Sequence, residues 1–511
     1  MNRSKTLSFL PILLLNVLSL AACSGPKNQC TVNCVVNGNA TVSFTLVADT
    51  LPANPSILSF KVSFLGIVLT PTTGPAQTLT PATAVVDLMR LQSDTAFLGA
   101  LTTVPPGTYT VQVSLSSPEI TFLNDTGSVI TANGAQCQIN AVCTVSLTAA
   151  ATPTISSFTF NATSSGQQGI ELDFDLKNAI SLSNGTLSVN FNPAAPSPGV
   201  LTAFTLPRTN ANLGTNQLEL IEDFTGVVSI NGSVVKITSP TRGVLTATST
   251  SASFFDQSPD GAHCQTPATF NNCVANGQVA SVDAFLKSDG TIDLKEFEPL
   301  NQTQQDFVEG IVYAVNTPAQ FTIAVNDKVQ LATNSLIGGL NTGDRLTVNI
   351  STNPIAHPFF VDTKGLNVIS FSSYGLFANQ TTTSAIFPGQ TVAVHVSAFT
   401  AASGSTLASA TADIIILRWT RLRANVLSTT SASININTLP SYFGFSTSSQ
   451  EVVQAFFGGA LGTDGVTNLD GVANNTSGLT VSRPVGLRVL YFQNAGNTAN
   501  PAFFAAKIRQ P

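Results

Sequence analysis

The chain of 511 residues combines 43% hydrophobic residues with only 9% charged residues. An ordinary soluble domain carries roughly 25% charged residues, so Ser, Thr, Asn and Gln must supply most of the polar surface. The composition excludes a disordered chain, which would be poor in aliphatic residues and rich in net charge. The formal net charge of -6 gives no long-range attraction for phosphate backbones and argues against nucleic acid as a partner.

Residues 1–23 have the layout of a secretory signal peptide. Arg3 and Lys5 precede an apolar run over residues 7–20, and that run is too short for a stable membrane span. The ending Leu20-Ala21-Ala22-Cys23 resembles the lipobox of bacterial lipoproteins, in which the cysteine is acylated and becomes the first residue of the mature protein. The alternative is an ordinary cleaved signal that ends at a cysteine by chance.

The lipobox resemblance implies a location as well as a modification. Ser24 follows Cys23 where an Asp would stand in a lipoprotein retained at the inner membrane, which implies sorting to the outer membrane. Several acyl chains on one cysteine give firm anchoring, because each buried methylene contributes about 0.8 kcal/mol. We therefore expect a bacterial cell-envelope protein that contacts the membrane through its lipid, with residues 24–35 as a tether.

The cysteine count agrees with acylation, because an odd total of 7 becomes even once Cys23 carries lipid. The others form three local couples, namely Cys30 and Cys34, Cys137 and Cys143, and Cys264 and Cys273. We expect local disulfides in the last two couples, each stabilising the fold by roughly 2 to 3 kcal/mol. The first couple could instead cross-pair with the second. A zinc site is disfavoured, because no Cys-x-x-Cys occurs.

Beyond residue 36 the sequence alternates apolar and polar residues in short runs rich in Val, Ile, Thr and Phe. This period of two is the signature of strands, and the stretches 40–47, 109–115 and 391–399 are examples. Helical periodicity is limited to residues 87–92 and 450–457. The pattern predicts an all-β protein.

Residues 36–222 are predicted to form one domain. They contain strand-like runs at 57–69 and 85–88, then Pro105-Pro106-Gly107-Thr108-Tyr109, and later Asp173-Phe174-Asp175. In this order the four stretches resemble an uncharacterised domain of bacterial lipoproteins, which implies a prealbumin-like or carbohydrate-binding-like β-sandwich. Alternation puts Asp173 and Asp175 on one face of a strand whose other face is apolar, so a half-buried strand is favoured over a catalytic carboxylate pair.

Residues 223–511 contain a weak internal repeat. Each unit opens on a strand, and the three openings contain Phe224-Thr225-Gly226, Val308-Glu309-Gly310 and Arg421-Leu422-Arg423-Ala424. This half resembles a second uncharacterised family of bacterial envelope proteins, which implies small OB-like barrels in tandem. Closure removes the sheet edges that so few charges could protect from aggregation. We predict three barrels over 223–305, 306–418 and 419–511.

Candidate chemistry is sparse, and we predict no catalytic residue, metal ligand or cofactor. Residues 288–297 match the second half of an EF-hand loop, but Phe285 and Lys287 stand where two carboxylate ligands are needed, and a hairpin at Asp289-Gly290 explains the same letters. The three histidines lie in different stretches, at His263, His357 and His395. No nucleophile elbow, zinc-protease helix or phosphate-binding loop occurs.

The densest positive run surrounds the single Trp. Arg418, Trp419, Arg421 and Arg423 form a weak candidate patch that could stack on and pair with a polyanion. The alternative is an Arg-lined strand that simply faces solvent. An open sugar-binding platform is disfavoured, because 1 Trp and 5 Tyr stand against 32 Phe that we expect mostly in the core.

These patterns together predict a lipid-anchored envelope protein with a non-enzymatic binding or structural role, whose partner would be an envelope polymer or another protein. Two alternatives remain. One is a secreted or envelope hydrolase acting on polysaccharide, with carboxylates brought together across domains. The other is a carrier of a small ligand or metal that uses the barrels.

Overall fold

A computed structural model describes residues 38–510 with internal gaps. The gaps are residues 50–51, 53–54, 82–84, 150–152, 154, 156–157, 193–198, 211, 240–241, 256–275, 301–304, 332–333, 353–358, 364–376, 378–379, 446–449, 458–465, 473 and 494–500. The predictions for the signal peptide, the tether and several single residues lie outside the described residues. These single residues are Cys23, Cys30, Cys34, His263, Cys264, Cys273 and His357. Within the described ranges, no helix is both long and apolar enough to cross a membrane.

The predicted all-β architecture, a sandwich followed by three small OB-like barrels, is confirmed. Within its described residues, the N-terminal sandwich contains sixteen strands in four four-stranded sheets. Its strands are β1 (Ala40–Asp49), β2 (Ser56–Val62), β3 (Phe64–Pro71), β4 (Gln77–Leu79), β5 (Val86–Asp87), β6 (Ala96–Val104), β7 (Gly107–Leu115), β8 (Glu119–Leu123), β9 (Ile130–Ala132), β10 (Ala135–Cys137), β11 (Val142–Ser146), β12 (Thr159–Ala162), β13 (Gln167–Asp175), β14 (Ile180–Ser183), β15 (Thr186–Val189) and β16 (Leu201–Leu206).

The sheet orders are β16-β13-β1-β6, β10-β9-β15-β14, β11-β8-β2-β5 and β12-β7-β3-β4. Strand β1 pairs parallel with β13 and antiparallel with β6, and its inward residues Phe44 and Leu46 are fully buried. A single helical turn, Leu176–Ala179, follows β13, and the Asp175 carboxylate caps it by accepting the Asn178 N–H at 3.0 Å. Alternation of small polar and large apolar residues thus places the core between the sheets.

The Pro-x-Gly-x-Tyr stretch closes one end of the sandwich. Tyr109 is buried on β7, stacks on Phe160 with ring centroids 5.6 Å apart, and donates its hydroxyl hydrogen to the Pro105 carbonyl at 2.7 Å. A buried phenol needs such a partner for its hydroxyl. Gly107 lies at the start of β7 beside the Tyr109 ring, where a Cβ atom would be at van der Waals distance, 3.7 Å, from the ring.

Barrels 1, 2 and 3 contain the remaining strands. These are β17 (Gln217–Asn231), β18 (Val234–Ser239), β19 (Gly243–Phe255), β20 (Val279–Lys287), β21 (Ile292–Pro299), β22 (Asp306–Thr317), β23 (Gln320–Val329), β24 (Arg345–Ile350), β25 (Phe359–Val361), β26 (Thr391–Thr400), β27 (Ala408–Arg418), β28 (Thr420–Thr429), β29 (Ser433–Asn437), β30 (Glu451–Gln454), β31 (Asn468–Asp470), β32 (Pro484–Tyr491) and β33 (Phe503–Arg509). The helical periodicity at 450–457 is misleading, because β30 is a strand there.

All three barrels close in the same strand order. Barrel 1 runs β17-β18-β19-β21-β20, and the parallel pairs β24–β27 and β30–β33 close barrels 2 and 3 in the equivalent order. The third and fifth strands of each barrel are therefore parallel and all other neighbours antiparallel, as in the OB-fold. Barrels 2 and 3 also carry one extra short strand, β25 or β31, which pairs parallel with the fifth strand.

The opening strand of each barrel carries a small residue, namely Gly226, Gly310 or Ala424, which we call the small residue of the repeat. In barrels 1 and 2 it lies where the first two strands approach each other closely. A Cβ atom on Gly226 would lie 2.5 Å from the Thr238 carbonyl oxygen, and one on Gly310 would lie 2.5 Å from the Ala324 carbonyl oxygen. Barrel 3 has Ala424 at the equivalent position. The repeat therefore reflects a backbone contact that excludes large side chains.

The four units pack as one body. Leu58 and Val142 of the sandwich join Ile311 of barrel 2 and Leu422 of barrel 3 in one buried cluster. Residues of barrels 1 and 2 share another, in which Val279 packs with Phe307 and its neighbours. Buried apolar contacts therefore join the sandwich to barrels 2 and 3, and barrel 1 to barrel 2. This packing brings charged groups from different units together at the centre.

Candidate functional site

More than half of the charged side chains that the structure describes are buried, and they concentrate where the sandwich and the barrels meet. We call the central group the ionic hub. All of its members are at least nine-tenths buried. They are Arg90, Asp94, Asp223, Glu309, Arg418 and Arg421. Buried charges are tolerated only when they are paired, so the geometry of these pairs decides what the centre of the molecule can do.

A bulge in β17 aims Asp223 at the centre. The register of β17 against β20 shifts between Ile221 and Phe224, and Asp223 itself has a φ of 54°, a conformation that Asp tolerates better than most residues. Its N–H donates to the Asp283 carboxylate at 2.8 Å. The buried Arg242 donates to the carbonyl oxygens of both bulged residues, at 3.0 Å for Glu222. These contacts fix the direction of the Asp223 side chain.

Arg418 ends β27 and binds carboxylates from two barrels. Its guanidinium lies 3.0 Å from Asp223 and 3.1 Å from Glu298 of barrel 1, and 3.1 Å from Glu309 of barrel 2. It also pairs with Asp362 of barrel 2. Burial alone would lower the pKa of Arg418, but the surrounding carboxylates raise it above its usual value. The guanidinium therefore stays charged.

Arg421, near the start of β28, brings barrel 3 and the sandwich into the hub. It donates to Asp94 of the sandwich at 2.8 Å and lies 3.2 Å from Glu309, and it pairs directly with Asp223. Although burial raises the pKa of Asp94, Arg421 and other arginines outweigh it and lower this pKa to about 2. Asp94 is therefore a carboxylate over the physiological pH range.

Arg90 is the sandwich's own cation in the hub. It begins the buried 3₁₀ turn Arg90–Gln92, and the preceding Asp87 carboxylate fixes this turn by accepting the N–H groups of Phe60 at 2.9 Å and Met89 at 3.0 Å. Its Nη1 lies 2.8 Å from Glu309 and 2.9 Å from Asp327, both in barrel 2. The hub thus contains charged groups from the sandwich and from all three barrels.

The predicted solvent-facing Arg–Trp patch is wrong. Trp419 and Arg418 are fully buried, Arg421 is 6% exposed and Arg423 is 8% exposed. The carboxylates of other units cover this strand, Arg423 pairs with Asp49 of the sandwich, and the Arg488 guanidinium lies 5.9 Å from the Trp419 ring centroid. None of the four side chains is therefore presented to a polymer outside the molecule.

The half-buried character predicted for the Asp173 strand is also wrong. Both faces of β13 are covered, because Glu171 and Asp173 face the Arg509 guanidinium of barrel 3. Burial, with Glu171 close by, raises the pKa of Asp173 to about 6 even though Arg509 lowers it. This carboxyl lies in the interior and not in an open cleft.

An open cleft of about 200 Å³ lies between the sandwich and barrel 2. Its walls include Thr144 of β11, Leu340, Phe399 and the consecutive Asp344 and Arg345. Arg345 donates to the Val142 carbonyl at 2.8 Å, and burial raises the pKa of Asp344. Apolar walls with a few fixed polar groups suit a small molecule that has an apolar body and a polar end.

Other predicted candidates are structural. The bridge between Cys137 and Cys143 is confirmed, with Cα atoms 5.9 Å apart. Asp289 accepts the Thr291 N–H at 2.9 Å in the turn between β20 and β21, as the hairpin interpretation predicts. His395 is buried in β26 beside Phe307, with ring centroids 6.1 Å apart. In the part of the chain that the structure describes, no group of three or more His, Cys, Asp or Glu is placed to hold a metal.

No protein-family model matches the sequence, and a comparison with curated proteins finds no match. The two family resemblances and the lipobox therefore stay predictions. Sequence reasoning missed the hub carboxylates Asp94, Asp223 and Glu309, and it missed Asp344 and Arg345 of the cleft. A sequence signal did exist for Asp223 and Glu309, since each lies within three residues of the small residue of the repeat.

Proposed function

We propose that this protein is a lipid-anchored bacterial envelope protein whose rigid all-β body has a non-enzymatic binding or structural role. The lipobox-like ending at Cys23 supports the anchor, and β1 begins at Ala40, so a short segment would connect the lipid to the folded body. The ionic hub supports the proposal that the folded body is rigid.

The ion pairs of Arg418 carry this proposal. One guanidinium bridges barrels 1 and 2, and the adjacent Arg421 extends the same network to the sandwich. Separating any of these units would break this shared network and would expose the apolar clusters at the same boundaries to water. The shared network therefore holds the sandwich and the barrels together as one body. Its buried carboxylates stabilise contacts between units, whereas hydrolysis would require carboxylates that face a substrate.

The anchor is tested by replacing Cys23. We expect the wild-type precursor to be acylated and recovered with membranes, and we expect globomycin to cause the uncleaved precursor to accumulate. The Cys23→Ala variant should lose acylation and membrane recovery, whereas the matched Cys30→Ala variant should keep both. A Cys23→Ala variant that remains acylated and membrane-bound would overturn the proposal.

The cleft supports a second candidate function, namely carriage of a small ligand. Ala401 and Ala402 form part of its wall, so Ala402→Trp should fill the space without touching the hub. Native mass spectrometry of the purified wild type should then show a bound small molecule that Ala402→Trp lacks. Identical spectra without added mass in both proteins would exclude this candidate and leave the structural role.

A further inference from the structure

A second group of buried charges lies where the sandwich meets barrels 1 and 3. We call it the acidic junction. It consists of the two carboxyl groups Asp173 and Glu219 and the charged groups that act on them. The acidic members are Glu171, Asp173, Asp175, Glu219 and Asp470, and the basic members are Arg208, Lys507 and Arg509. Carboxyl groups therefore outnumber cations in a region that is largely closed to water.

The cations of the junction are already engaged by other carboxylates. Arg208 lies 2.8 Å from Glu171, while Arg509 lies 3.5 Å from Glu171 and 3.4 Å from Asp470. Lys507 lies 3.9 Å from Asp470 and also pairs with Glu222, so its charge is shared outside the junction. The positive charge available for the remaining carboxyl groups is correspondingly small.

Asp173 and Glu219 are the members left without a salt bridge. Among the described residues, no cation lies within 4.0 Å of either carboxyl group. The Asp173 Oδ1 atom is buried and has no hydrogen-bond partner, and Glu219 accepts only the N–H of its neighbour Leu220, at 2.8 Å, among the bonds that the structure shows. An ionised carboxylate in such a setting is costly, whereas the neutral acid is not.

We propose that the acidic junction is a proton-dependent latch, in which Asp173 and Glu219 keep their protons while the sandwich is closed against barrels 1 and 3 and weaken that contact when they lose them. Two bound protons neutralise Asp173 and Glu219, which have no salt bridge of their own among the described residues. On ionisation each proton passes to solvent, and the new carboxylates face Glu171 and Asp470 at short range. Like charges in a poorly solvated site repel strongly.

The latch would control a main-chain contact between the segment that links β16 to β17 and strand β31 of barrel 3. Between β16 and β17 the chain runs antiparallel to β31, where Asn210 bridges to Asp470 and the Gly471 N–H donates to the Thr209 carbonyl at 2.8 Å. Asn212 adds a hydrogen bond to the Leu469 carbonyl at 2.7 Å. Asp470 therefore belongs to the junction and to this contact, so repulsion at the first acts directly on the second.

The electrostatics of the junction give the direction of the effect. Burial is the main cause that raises the pKa of Asp173 to about 6, and burial together with Asp470 and Glu171 raises the pKa of Glu219. A raised pKa means that the folded protein binds more protons than the unfolded chain. Stability from these groups is complete below the unfolded pKa near 4 and is lost as the pH rises through the folded pKa.

The test is the pH dependence of unfolding of the mature full-length protein, compared with the double variant Asp173→Asn plus Glu219→Gln. As the pH rises from about 4 to 6, the unfolding constant of the wild type should increase about tenfold per pH unit for each proton that only the folded state retains. In the double variant the increase of the unfolding constant per pH unit should be at least tenfold smaller than in the wild type. The control Asp293→Asn, whose ion pair with Lys287 is about one-third exposed, should keep the wild-type slope.

A second measurement needs no variant. At pH 5 the infrared spectrum of the folded wild type should contain the carbonyl band of buried protonated carboxylic acids, and this band should weaken as the pH rises through 6, where Asp173 ionises. Hydrogen exchange at residues 468–470 should accelerate over the same interval beyond its intrinsic pH dependence. Equal slopes in the wild type and the double variant, or no protonated carboxyl band at pH 5, would overturn the latch.

Discussion

Asp223 of barrel 1 and Arg421 of barrel 3 occupy equivalent positions in their repeats and form an ion pair with each other. Each lies three residues before the small residue of its first strand, Gly226 or Ala424. The first strand of barrel 2 contributes Glu309 to the same cluster, at 3.2 Å from Arg421. Barrels 1 and 3 therefore meet through one structural position that carries opposite charges in the two copies, whereas Glu309 of barrel 2 joins the cluster from the position directly before Gly310.

Removing the Asp223 charge should destabilise the whole protein. Asp223→Asn leaves Arg418 and Arg421 with one carboxylate fewer in a buried site, and breaking a buried pair costs about 3–5 kcal/mol. Urea unfolding measures this free energy. The matched control is Asp293→Asn, whose ion pair with Lys287 is about one-third exposed and should contribute about 0–1 kcal/mol. Equal losses in the two variants would contradict a special role for the hub.

The close approach at Gly226 and Gly310 predicts that alanine destabilises the protein at these two positions but not at a glycine with open space around it. Gly226→Ala and Gly310→Ala place a Cβ atom 2.5 Å from a carbonyl oxygen, so the two strands must separate, at a cost of about 1–3 kcal/mol. Gly339→Ala has open space and should change the free energy of unfolding by less than about 0.5 kcal/mol. Chemical denaturation of the three variants checks this order, and a neutral Gly226→Ala would refute it.

The lowered pKa of Asp94, about 2, predicts the acid side of the stability profile. The folded protein binds fewer protons at this group than the unfolded chain, whose Asp pKa is about 3.9. Its contribution is present above pH 4 and is lost as the pH falls towards 2. In Asp94→Asn the unfolding free energy should therefore fall less steeply between pH 4 and 2. An unchanged slope would show that Arg421 does not hold Asp94 ionised.

The bridge between Cys137 and Cys143 closes a short loop, so its loss should have a moderate effect. The chain-entropy relation gives about 2 kcal/mol for a loop of this length. We expect the double variant Cys137→Ala plus Cys143→Ala to remain folded with a lower urea midpoint. Alkylation without prior reduction should leave both cysteines unmodified in the wild type, and labelling of either one would contradict the bridge.

The sequence was sufficient to predict the strands, the sandwich and the barrel repeats, because alternation and turn residues are local signals. Tyr109 is an example, since its proline-glycine turn and its buried ring lie within a few residues of each other. The repeat glycines likewise report a contact between neighbouring strands.

The burial of the Arg–Trp strand could not be predicted in this way. Alternation assigns Arg421 and Arg423 to a solvent face, yet Asp94 is 327 positions away from Arg421 in the chain. Asp173 shows the same limit, because the face predicted to meet water is covered by β33, the last strand of the chain. A charged face can be recognised from sequence as polar, but the unit that covers it cannot.

Differential scanning calorimetry of the mature protein and of Arg418→Met tests most directly whether the hub makes the sandwich and three barrels one cooperative body. Multidomain chains usually depart from two-state unfolding, so the outcome is informative. The wild type should unfold in a single transition with equal calorimetric and van't Hoff enthalpies. Arg418→Met, which leaves Glu298, Glu309 and Asp362 without this cation, should separate it into several transitions at lower temperature. Several wild-type transitions that Arg418→Met leaves unchanged would contradict the account.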